Sequence, residues 1–170
     1  DFCIWNNIIY DFTEDNSFGI YVSYHGNPFV HNNTIYNCRS GIGGNNGRIV
    51  AKNNIIQDSI LDDYGDDDFV SGSVNNISSD ATAGSDSDLA DSFQNTIVIF
   101  HDAANDDFHL AAEDTVARDQ GADLSDDATI NFSTDIDGHS RPSGAGWDIG
   151  ADEGAVLIYR SVGPGSTSAL

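Results

Sequence analysis

Methionine is absent from the 170 residues, proline occurs 3 times and cysteine twice, and lysine and arginine together number 6. Each scarcity excludes something. With 28 acidic residues against those few cations, the formal net charge is -22. No basic surface is left to neutralise phosphates, so nucleic acid is not an expected partner. No unbroken apolar run approaches the roughly 18 residues of a spanning helix, so no membrane span is expected. Helix-forming stretches are few, while Gly reaches 17 and Asn and Asp are abundant, which argues against a helical bundle. Cys3 and Cys38 lack the spacing and the matched histidine of a zinc or redox site. A pair of buried thiols and a disulfide formed in an oxidising compartment both stay open. There is no initiator methionine and no signal peptide, and "DFCIWNNIIY" already reads as structured chain, so a piece of a longer polypeptide is expected.

The acids are unevenly placed. Residues 1–60 hold five of them against Arg39, Arg48 and Lys52, and residues 61–153 hold all the rest against Arg118 and Arg141. Only Glu14, Glu113 and Glu153 are glutamates. Aspartate is a turn residue and a calcium ligand, so the bias fits a loop-rich β protein outside the cell or at its surface. Solvation by self-repulsion, high-salt adaptation and cation sites all account for such acidity.

The strongest pattern is a repeat. "NNIIYD", "NNTIYN", "NNIIQD" and "NNISSD" begin at residues 6, 32, 53 and 75. A period of roughly 20–30 residues signals a solenoid. Short apolar segments ("FCIW", "PFVH", "RIVAK", "DFVSGSV") precede the pairs, and "FGIYVSY" and "SGIGG" lie between some of them. One repeat therefore reads as strand, asparagine corner, strand and turn, with a further strand in places. It is too short for a βαβ unit and carries no helical stripe. Parallel strands stacked coil on coil satisfy it, at about 4.8 Å per rung. An asparagine at a sharp corner tolerates left-handed backbone, and its amide can bond to its equivalents above and below. Ile8, Ile35 and Ile55 are expected to stack in the core.

The run "VHNNTIYNCRSGI…GRIVAKNNIIQDS" resembles right-handed parallel β-helix proteins of the pectate-lyase-like superfamily, over roughly residues 1–80. The resemblance implies an all-β, right-handed parallel β-helix, here of about four coils. Lyases, hydrolases, adhesins and tailspikes share that fold, so it does not select a function. Residues 1–105 are expected to form the coils, with long acidic turns after 57. "NTIVIF" at 95–100 reads as a strand and a candidate last rung. Residues 106–154, "DFHL" through "WDIGADEG", are similar to the closing segment of secreted bacterial β-helix proteins of the choice-of-anchor type. That implies an irregular, acidic, Gly-rich C-terminal cap. Trp147 and Ile149 are expected to plug the open end of the core, and Arg141 to pair with Asp137, Asp148 or Asp152. Residues 155–170 read as a strand-like tail and a linker.

Three chemistries are weighed. Calcium is the possible cofactor, with Asp66, Asp67, Asp68, Asp135 and Asp137 the candidate ligands. "DIDG" at 135–138 resembles the opening of an EF-hand loop, although Gly146 stands where its glutamate belongs. Polysaccharide cleavage needs clustered carboxylates and a base, and the coils offer only Arg39, Arg48 and Lys52. "YHGN" at 24–27 resembles a fragment of a hydrolase motif, with Tyr24 in place of its first glycine. Glycan contact without cleavage needs exposed aromatics. Trp5, Tyr10 and Tyr64 are possible contributors, and Tyr21, Tyr24, His25 and Tyr36 are the candidate residues. The favoured function is a non-catalytic, secreted or cell-surface scaffold for adhesion or polysaccharide contact, with no catalytic residue named. The alternatives are a fragment of a polysaccharide lyase or glycoside hydrolase with active coils partly upstream, and an extracellular filament subunit associating end to end.

Overall fold

The structure, a computed structural model, describes residues 2–23, 26–45, 48–65, 68–84, 88–89 and 92–155. Eleven short strands, no α-helix and two 3-10 turns are assigned among them. β1 (Phe2–Trp5), β4 (Pro28–His31) and β7 (Val50–Lys52) form one parallel sheet. β2 (Ile8–Tyr10), β5 (Thr34–Tyr36), β8 (Ile55–Gln57) and β9 (Ile77–Ser78) form a second. β3 (Ile20–Val22) and β6 (Ile42–Gly44) form a third, which Tyr64 extends through a parallel bridge to Ile42. Strands pair with their equivalents one repeat later, so the chain is a parallel β-solenoid of about three turns, not four. Beyond β7, among the described residues, the first sheet continues only as isolated bridges, Ile49 to Phe69 and Lys52 to Val74.

The asparagine doublets stack as the period predicts, but the two residues divide the work. The first of each pair, Asn6, Asn32, Asn53 and Asn75, turns the corner with φ of 51°, 49°, 55° and 53°. That left-handed backbone is one that asparagine tolerates better than β-branched residues do. The second of each pair points inward and makes the ladder. The N–H and Nδ2 of Asn7 donate to Oδ1 of Asn33, at 3.1 and 2.9 Å. Asn33 donates likewise to Asn54 at 3.0 Å by both groups, and Asn54 to Asn76 at 3.1 and 2.9 Å. Asn33, Asn54 and Asn76 are buried, and the ladder gives their amides the partners that burial demands.

Register decides which isoleucines enter the core. Ile9, Ile35 and Ile56 are mutual partners and face inward, packing with Val30, Ala51, Ile42 and Tyr64. Ile8, Thr34, Ile55 and Ile77 form the adjacent column and face outward. Ile8 and Ile55 therefore do not share a column with Ile35, because a one-residue step reverses the face in a strand.

An outward apolar column must be covered, and the C-terminal half covers it. Phe93 adds a last bridge to Ile77, and the Thr96 N–H donates to the Ser78 carbonyl at 3.0 Å. The chain then leaves the stack, so "NTIVIF" contributes only Phe100 to a strand. β10 (Phe100–Asp102) and β11 (Asp107–Leu110) make an antiparallel hairpin over the second sheet. Phe100, Phe108 and Leu110 pack there with Ile55, Ile77 and Ile149. Leu124, Ile130, Phe132 and Trp147 cover the outer face of the first sheet at Cys3 and Phe29. The closing segment thus flanks the solenoid lengthwise, and Trp147 and Ile149 seal its side instead of plugging an end. Corner asparagines hold it: Asn32 Nδ2 donates to the carbonyls of Asp148 and Gly150, and Asn53 exchanges two bonds with the backbone of Ala122. Cys3 lies beneath this covering and Cys38 in the core, and both are free thiols.

His31 sits on the covered face, fully buried, with neither ring nitrogen hydrogen-bonded. Burial pushes its imidazole down to about 4, with nearby Lys52 adding to the shift and Asp127 opposing it. The folded state therefore prefers neutral His31. Its contribution is complete above the unfolded value of 6.5 and is lost as pH falls toward 4. The expected result is a difference in acid sensitivity between wild type and His31→Leu. Between pH 6.5 and 4 the wild type should lose about 3 kcal/mol relative to the variant, measured by urea unfolding at each pH. Parallel curves for the two proteins across that range would refute it.

Candidate functional site

The covering hairpin and the "DIDGH" turn bring histidines and carboxylates together at the surface. Alternation along β11 turns Phe108 and Leu110 inward and leaves Asp107 and His109 facing out. Asp106 in left-handed backbone, φ 61°, closes the hairpin turn. Asp107 Oδ2 accepts from His101 Nδ1 at 2.8 Å, and its other oxygen accepts from His109 Nδ1. His109 Nε2 reaches Asp137 Oδ2 at 2.8 Å. Held between two carboxylates, His109 is pushed up to about 9, chiefly by its bond to Asp107. The same bond holds Asp107 down to about 2.

Asp135 organises the neighbouring turn. Its Oδ1 accepts the N–H groups of Asp137 and His139 at 2.9 and 2.7 Å, and its Oδ2 accepts that of Glu153 at 3.1 Å. Gly138, with φ +84°, completes the reversal that aims Asp137 at His109. Asp152 Oδ2 accepts the Leu110 N–H at 2.8 Å, which ties the hairpin to the closing segment. Burial is the main influence raising the Asp152 carboxyl. Donor atoms of His109, Asp137 and Asp152 lie within 4.8 Å of one another, as do those of Asp135, Asp137 and His139.

Of the sequence-predicted cation ligands, Asp135 and Asp137 belong to this constellation. Asp68 lies elsewhere, 8% exposed, with Oδ2 accepting the Gly44 N–H at 2.7 Å. Asp66 and Asp67 lie outside the described residues, as do Tyr24 and His25 of the glycan set. Tyr21 is exposed on β3 with its ring 4.7 Å from that of Phe18. Tyr36 is on another sheet, half-buried between Phe100 and Phe108, with centroids 6.0 and 5.0 Å away. The two tyrosines do not share a row. Tyr64 is a core residue whose hydroxyl lies 3.3 Å from the carbonyls of Asn54 and Ile77. Sequence reasoning missed His109, His139 and Asp152, which sit in separate segments; the outward position of His109 in "DFHL" was the one available signal.

The basic side chains of the coils are engaged. Arg39 meets Asp15 at 3.2 Å, Arg48 meets Asn27 at 2.8 Å, and Lys52 meets Asp127 at 2.7 Å. Arg141 is fully buried against Glu153, at 3.0 Å, and not against the aspartates expected of it. Among the described residues no helix is long and apolar enough to cross a membrane. Comparison with protein families, curated proteins and solved structures finds no match.

Proposed function

We propose that this chain is part of a right-handed, pectate-lyase-like β-helix of the choice-of-anchor type, displayed outside the cell as a non-catalytic scaffold for adhesion or polysaccharide contact. The supporting observation is the Tyr21–Phe18 pair: Tyr21 is 49% exposed on the third sheet, with an aromatic face of the kind that stacks on sugar rings. Affinity electrophoresis in uronate polysaccharides tests the reading. Retardation of the wild type should fall about tenfold in Tyr21→Ala, the loss of one stacking contact and its buried area. Equal mobility of both proteins in every polysaccharide would count against glycan contact, and an unsaturated oligosaccharide product would favour the lyase alternative.

A bound divalent cation belongs to the same reading, and its chemistry can be argued from the donors. Calcium takes six to eight oxygens. His109 brings an imidazole nitrogen, and Asp135 already has both oxygens on backbone N–H groups. Once a metal displaces the proton that Asp107 and Asp137 hold on His109, its imidazole with the carboxylates of Asp137 and Asp152 suits a borderline metal such as zinc better than calcium. Zinc at about 100 times its dissociation constant is expected to add about 2.7 kcal/mol of stability, absent in Asp137→Asn. A melting-temperature shift with calcium and none with zinc would restore the calcium assignment.

A further inference from the structure

The two ends of the asparagine ladder are unlike. In every rung the N–H and Nδ2 donate to Oδ1 of the following rung, so the ladder has a direction. At its C-terminal end the Asn76 N–H meets Ser92 Oγ at 3.3 Å, and a hydroxyl terminates the series. At its N-terminal end Asn7 is exposed, and no donor among the described residues reaches its Oδ1. The core columns are open at the same end. Ile4 and Ile9 are only partly buried, whereas Val30, Ile35, Ala51 and Ile56, their partners on the next two rungs, are 0% exposed. Phe2 is 45% exposed, and a groove of about 390 Å³ runs between Cys3, Ile4, Trp5 and Asn7. Among the described residues, β1, β2 and β3 each pair along one edge only.

Resting on the reading of this chain as part of a β-helix, we propose that this end seats a further coil of the same asparagine repeat, joined in cis and stacked parallel on β1 and β2. Its inward asparagine donates N–H and Nδ2 to Asn7 Oδ1. The surface is continuous with the inter-coil interface inside the molecule and repeats its chemistry: parallel edges, an amide acceptor and half-covered isoleucines. A second copy fits less well. A two-fold contact through this end would run the strands antiparallel and bring two acceptors face to face. A head-to-tail contact would present Asn76, whose N–H is already bonded to Ser92.

The test is a fusion in which a copy of residues 27–47 precedes Asp1, preserving the 21-residue rung spacing seen between Asn33 and Asn54. Amide hydrogen exchange read by NMR should slow about tenfold or more across β1 and β2 relative to the unextended chain, because those edges gain a partner. The same fusion with Asn33→Ala in the copied segment should lose that protection. Unchanged exchange in β1 and β2 would overturn the proposal, and so would equal protection in the alanine fusion. A concentration-dependent dimer of the unextended chain protected at β1 and β2 would reassign the end to a second copy.

Discussion

Asn54→Ala is expected to cost about 3–5 kcal/mol, read from urea unfolding, which is a large part of the 5–15 kcal/mol that holds a typical domain together. Asn54 is fully buried. Its Oδ1 accepts both the N–H and the Nδ2 of Asn33, and its Nδ2 donates to Val30 and Asn76. Alanine leaves the Asn33 N–H without that acceptor inside the stack, and an orphaned buried donor costs about 1–3 kcal/mol by itself. Three further bonds disappear with it. Asn75→Gly is the matched contrast. Glycine keeps the left-handed corner at φ 53°, and the loss is one bond to the Gln120 carbonyl, so a change under about 1 kcal/mol is expected. Similar losses in the two variants would show that the doublet does not divide its roles as the geometry indicates.

Arg141→Ala should cost at least as much, by a different route. The guanidinium and Glu153 are both fully buried at 3.0 Å. Arg141 Nη2 also donates to the carbonyls of Gly150 and Ala151, and Nη1 to that of Asp148. Glu153 in turn accepts the N–H groups of Ser143 and Asp148. Removing the cation strands a buried carboxylate, for which about 3–5 kcal/mol is typical. Asp135, Asp148 and Asp152 also lie within electrostatic reach of Arg141 and lose its compensation. The loss should be local first. Limited proteolysis is expected to cut within residues 111–155 before it cuts the coils, since this pair and these partners all lie inside the flanking segment and hold its own turns together. Arg141→Lys should rescue little, because an ammonium cannot fork to several acceptors. Uniform cleavage across the chain, or a lysine variant as stable as wild type, would contradict this assignment.

The architecture was legible because the ladder imposes its period on the chain: the doublets at residues 6, 32, 53 and 75 mark the rungs in the sequence itself. Facing was harder to read. "NNII" contains adjacent isoleucines, and a doublet alone does not say which of Ile8 and Ile9 turns inward; pairing through Thr34 and Ile35 settles it. The place of the closing segment was not legible either. Its apolar residues announce that something is covered, but its sequence does not distinguish the end of a solenoid from its flank. The outward column of Ile8, Ile55 and Ile77 was the clue, and it follows only from the correct register. The His109–Asp137–Asp152 grouping depends on the hairpin folding back over the second sheet, a tertiary event with no local spacing to betray it.

One-way donation along the inward carboxamides also has an electrical consequence. Their dipoles point the same way in every rung and add along the axis, each polarising the next. The first coil therefore carries the partly negative pole of the column, a standing bias toward neighbours rich in N–H groups and against anionic ones.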